Sequence, residues 1–164
     1  MPESDQLRES VKVVARELRA LHRALLGYVQ SGYEQSHGAV GGPGQLLHLA
    51  MHDPAFHWLH ALSELMVDID ELIDSQMVSK TDAAAVRTEI EDLLGTGSDR
   101  ANDFSTRYVE ALQHDTDLVV LHANVRKIVS TLPETKPEQV EEVRAARPQW
   151  SVRRLRPRTE RPVH

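Results

Sequence analysis

Apolar residues recur along the first thirty positions at alternating steps of four and three: Leu7, Val11, Val14, Leu18, Leu21, Leu25, then Tyr28 or Val29. At about 100° per residue they fall on one stripe, the period of a helix in a bundle or coiled coil. Ser4 or Asp5 is placed to cap its start. Arg8, Lys12, Arg16, Arg19 and Arg23 occupy about 80° of arc on the other side. A basic face opposes an apolar one.

The pattern stops at SGYEQSHGAVGGPGQ, with five Gly between positions 32 and 44, which reads as a long flexible loop. A short helical turn is expected over roughly 45–52. Asp53-Pro54 then restarts the chain, with Asp as N-cap and Pro at the first helical position. The next helix is expected over 54–77, centred on Leu59, Leu62, Met66, Ile69 and Ile73 and flanked by Trp58, Leu65 and Leu72. Glu64, Asp68, Glu71 and Asp74 make its other side acidic. Ser79 or Thr81 caps a further helix with Val86, Ile90, Leu93 and Leu94 on one face, and Gly95 stops it as a C′ residue.

The last helical region, about 99–132, changes phase. Phe104, Tyr108, Ala111 and Leu112 share one stripe, while Leu118, Leu121, Val125, Ile128 and Leu132 share another, rotated by about 90°. One straight helix cannot aim both at the same core. A break is therefore expected at His114–Asp117, with Asp115 or Asp117 capping the second piece. Pro133 ends it, and Pro, Glu and Arg dominate afterwards. These patterns predict an all-α, four-helix-bundle-like fold over residues 1–133. Residues 134–164 are expected to form a Pro/Arg-rich, basic and largely disordered tail.

Composition narrows the classes. Of 164 residues, 40% are apolar but only 4% aromatic, so the core must be aliphatic. No run is long and uncharged enough for a membrane span, and the polar N-terminus is unlike a secretory signal, which points to a cytoplasmic protein. Cysteine is absent, excluding disulfides, thiolate metal sites and cysteine nucleophiles. The net charge of −6 hides a split: residues 1–143 carry −12, and residues 144–164, with seven Arg and one Glu, carry +6. Such an acidic body repels phosphate, so nucleic acid is a partner only through the tail.

The stretch GGPGQLLHLAMHDPAFHWLHALSELMVDIDELID resembles the centre of a family of small uncharacterised bacterial proteins. The matching features are Gly42-Pro43-Gly44-Gln45, His52-Asp53-Pro54, Trp58-Leu59 and Ile69-Asp70-Glu71, with the later YVEALQHD stretch beside them. The resemblance spans about half the chain. It implies helices and a bacterial origin, and it transfers no catalytic residue.

Nine histidines are the compositional anomaly. His48 and His52 are four apart, His57 and His60 three apart, and Glu64 lies four after His60. Such spacings put ligands on one helix face, as helical metal sites require, so these five are the candidate ligands for a transition metal. Against a buried site, His57, His60 and Glu64 point away from the Leu59–Ile73 stripe. His114 and His122 are a further pair to test as ligands, though His122 sits at the edge of an apolar stripe, where a hydrogen-bonded core histidine is expected. The GAVGGPGQ loop lacks the Lys-Ser/Thr ending of a P-loop and comes after a helix. Ser63 lies mid-helix without a nucleophile elbow.

These features rank three functions. First is a non-enzymatic regulatory or scaffold protein without a cofactor, engaging a protein partner or a second copy of itself. The basic face of the first helix suits the region 45–99, which holds 11 acidic and two basic residues. Second is a metal-binding enzyme or sensor built on the histidines. Third is a nucleic-acid accessory protein acting through the Arg-rich tail.

Overall fold

A computed structural model describes residues 2–95 and 103–155, and the side chains of Arg154 and Leu155 are outside that description. The described residues form seven α-helices, two short 3-10 turns and no strand. No helix among them is long and apolar enough to cross a membrane.

The first helix, α1, spans Glu3–His37 and buries Val11, Val14, Leu18, Leu21, Leu25 and Val29, the stripe read from the sequence. It continues beyond the expected loop start, through Gly32. Glycine inside a helix costs about 1 kcal/mol relative to alanine, and packing beyond it offsets that. Tyr33 stacks on His37 with centroids 4.4 Å apart and meets Phe56 at 6.1 Å. The chain turns only at Gly38, whose φ of 84° is open to glycine. The loop therefore shrinks to the few residues before the next helix. Ser4 does not cap α1; its hydroxyl accepts from the Val78 amide, 3.1 Å away.

Helix α2 spans Pro43–His52. Asp53 then accepts from the Ala55 amide and opens a 3-10 turn, Pro54–Leu59, that leads into α3, His60–Asp74. The expected single helix over 54–77 is thus divided. The tighter 3-10 winding re-phases the α-helical residues beyond it, so α3 buries Leu62, Leu65, Ile69 and Leu72 and leaves Met66 and Ile73 half-buried. Helix α4, Lys80–Leu94, starts with a capping box in which the Ser79 and Asp82 side chains each bond the other's backbone amide. Gly95 comes next with φ −63°, so it ends α4 without the left-handed turn.

Helix α5 spans Asp103–His114 and α6 spans Thr116–Val129. They break where the phase shift placed the break, with Asp115 accepting from the Asp117 amide as N-cap. Phe104, Tyr108 and Ala111 on one side, and Leu118, Val125 and Val129 on the other, are all buried. The bend reconciles the two stripes.

The segment after Pro133 departs from expectation. A 3-10 turn at Pro137–Gln139 leads into α7, Val140–Leu155, which packs against both α3 and α4. Val143, Ala146 and Trp150 are buried, and Trp150 is fully enclosed. The part of the expected disordered tail up to 155 is therefore an ordered helix; the rest, 156–164, lies outside the described residues. Enclosing one Trp removes a large apolar surface from water, enough to order a short polar helix. Pro148 is tolerated because it and Arg144, whose carbonyl loses a partner, both face solvent.

Candidate functional site

The candidate metal ligands occur as pairs. His48 and His52 are exposed on α2, with ring centroids 4.7 Å apart. His57 and His60 neighbour each other at 4.8 Å, but His60 Nε2 bonds the Ala50 carbonyl at 3.0 Å, tying the start of α3 back to α2. Glu64 is exposed one turn further on. Among the described residues, no group of three or more His, Cys, Asp or Glu is placed to hold a metal ion. A tetrahedral site needs more than two ligands, so each pair is incomplete among the described residues.

Helix α2 carries a feature that its histidines obscured. Leu47 and Met51 are 62% and 58% exposed, one turn apart, and they share their face with His48 and His52. Residues 35–52 contain no Asp, Glu, Lys or Arg. The helix thus shows solvent an uncharged face, half aliphatic and half imidazole, while burying Leu49.

Most buried charge is committed to holding elements together. Asp82, 1% exposed, accepts from Trp150 Nε1 at 3.0 Å and from Arg153 at 2.7 Å, besides the Ser79 amide. Burial alone would push this carboxyl up, but bonds from Arg153, Ser79 and Trp150 outweigh it and hold it below the usual carboxylate range. Arg147 bridges Asp68 at 2.6 Å and Glu89 at 3.0 Å, spanning α3 and α4. On α1, Arg19 reaches Asp70 at 3.6 Å and Arg8 donates to the Ile73 carbonyl at 2.9 Å. The acidic side of the molecule is partly neutralised from within. Arg147 and Arg153 are among the cations that the nucleic-acid reading required.

Two histidines are half-buried and hydrogen-bonded between helices. His22 Nε2 lies 2.9 Å from Ser63 Oγ, which also bonds the Leu59 carbonyl at 3.3 Å. Burial lowers the His22 pKa, and no carboxylate among the described residues bonds the ring to orient it as a catalytic base. His122 is the hydrogen-bonded histidine expected at its stripe edge: Tyr108 Oη lies 2.6 Å from its Nδ1. Burial pushes the Tyr108 phenol up, so it keeps its proton. Burial, then the nearby Arg126 charge, lowers the His122 pKa and favours the neutral ring.

His122 also lines a cleft of about 420 Å³ between α4 and α6. Ile90, Leu94, Val125 and Val129 underlie it as buried core side chains, and Arg87, Glu91 and Arg126 supply charge. Neither this cleft nor the α7 dock was foreseen from sequence. The dock had a signal in the i, i+3, i+7 spacing of Val143, Ala146 and Trp150; the cleft had none, since helices remote in sequence form it. No protein-family model, curated protein or solved structure matches the chain.

Proposed function

We propose that this chain is a non-enzymatic, cytoplasmic helical-bundle interaction protein that self-associates through α2. The observation that carries this reading is the pair of exposed apolar side chains, Leu47 and Met51, on a helix without a charged residue. Contiguous apolar surface exposed on a helix marks an interaction site. A second copy is the occupant favoured by charge. At a net −6, two copies repel over most of their surfaces, and the uncharged 35–52 stretch is where like meets like at least cost. A two-fold axis beside α2 would bring both apolar pairs together in one self-complementary patch. The non-enzymatic part is supported by the use of Asp82, Arg147 and the His22–Ser63 pair in packing contacts rather than around an open cavity.

Light scattering across a wide concentration range tests it. The wild-type chain should pass from monomer to dimer, and Leu47→Glu with Met51→Glu should stay monomeric with unchanged helicity. A wild type that is monomeric at every concentration, or a double variant that associates equally well, overturns the proposal. The metal alternative rests on the same face. His48 and His52 supply two imidazoles per copy, and a dimer would supply the four that zinc prefers. Dimerisation that requires added zinc and disappears with EDTA would favour it over a purely apolar contact.

A further inference from the structure

We propose that His48 and His52 chelate a divalent transition metal on each single copy of the chain, copper(II) in preference to nickel(II) or zinc. The two residues lie four apart on α2, so one helix face presents both rings. Both are exposed, and neither ring nitrogen bonds another group among the described residues. Their ring centroids are 4.7 Å apart. A ligating nitrogen sits about 2.0 Å from its metal, which puts the ring centroid about 3.2 Å from it. Two centroids 4.7 Å apart then subtend about 95° at a shared ion. That is close to the right angle between neighbouring positions of a tetragonal ion, the geometry of copper(II). Water fills the remaining positions, so two imidazoles serve where a closed tetrahedral zinc site takes four ligands.

The surroundings of the pair favour a cation. His52 ends α2, at the negative end of the helix dipole. Residues 35–52 carry no Lys or Arg to repel a dication, and no Asp or Glu to draw it off the imidazoles. The neighbouring pair is spent by comparison. His57 and His60 are 4.8 Å apart, but the Ala50 carbonyl holds His60 Nε2 at 3.0 Å. Imidazole suits copper, nickel and zinc alike, and the affinity of a given site peaks at copper(II). The site shares α2 with the proposed self-association but does not rest on it. Both protein ligands come from one copy, and Leu47 and Met51 stay uncovered.

The test is copper(II) titrated into the full, untagged chain in a non-coordinating buffer. Calorimetry reads affinity, electron paramagnetic resonance reads the ligand set, and light scattering reads mass. One ion per chain should bind at the tightest site, couple to two imidazole nitrogens, and leave the mass unchanged at the concentration used. His48→Gln and His52→Gln should each weaken binding at least about tenfold, or about 1.4 kcal/mol, and His57→Gln should leave it unaltered. All three residues are exposed, so the variants keep the fold, as far-UV circular dichroism will verify. The assignment is overturned by His48→Gln or His52→Gln binding as tightly as the parent, or by zinc binding more tightly than copper(II). Copper that binds only as it doubles the mass overturns it too. A chain that never dimerises yet binds copper(II) as described refutes self-association and leaves this site standing.

Discussion

Replacing Asp82 by Ala separates an ordered α7 from a loose tail. In the structure this carboxylate caps α4 at Ser79, receives the Trp150 indole N–H, and pairs with Arg153, whose side chain is 36% exposed. Loss of the cap costs about 1 kcal/mol. An enclosed Trp150 N–H left without an acceptor costs about 1–2 kcal/mol. The Arg153 pair is screened by solvent on one side and contributes about 1 kcal/mol after discounting. The sum is about 3–4 kcal/mol, a drop of roughly 10 °C in Tm for a chain this size. The assay is urea unfolding followed by far-UV circular dichroism and by Trp emission, with Trp58→Phe so that Trp150 alone reports. Trp150 emission should shift to the red in Asp82→Ala before global unfolding. A loss of only about 1 kcal/mol, the cap alone, with unchanged emission, would refute the docking of α7 on Asp82.

The same interior contacts set the other expected outcomes. Tyr108→Phe leaves His122 Nδ1 without its hydrogen-bond partner and should cost about 1–2 kcal/mol in chemical denaturation; a neutral result would show that the hydroxyl contributes nothing net to the fold. Asp115→Ala removes the N-cap of α6 at the α5–α6 bend and should cost about 1 kcal/mol, read as a lower urea midpoint. His22 and His122 both have folded pKa values below 6.5. Their contribution is full above pH 6.5 and lost as pH falls through the folded values, because the unfolded chain binds protons first. Stability should therefore decline on acidification below pH 6.5, less steeply in His22→Gln; identical slopes would count against a buried neutral His22.

Much of the architecture was legible because a helix writes its buried face into the chain at a fixed period. The α1 stripe, the Asp53 and Ser79 caps and the α5–α6 break all arise from spacing and local hydrogen-bonding chemistry, which act over a few residues. What misled was equally local. Glycine density near position 32 suggested a loop, yet distant packing of Tyr33 on Phe56 carries α1 to His37. The stretch after Pro133 looked too polar and too rich in Pro and Arg to fold. Its order depends on Asp82 and on the acidic residues of α3 and α4, some 60 to 80 positions away.

The histidines mark the same boundary. Their spacing established that His48–His52 and His57–His60 sit as neighbours, but whether pairs converge depends on helix placement, and His60 was drawn instead to the Ala50 carbonyl. Sequence alone determined that this protein is helical, where its main apolar faces lie and where most helices begin. Tertiary structure alone decided which polar side chains meet, that α7 is part of the core, and that a cleft opens between α4 and α6. The reason is range: periodicity and capping are set by neighbours along the chain, whereas pairing and cavities are set by neighbours in space.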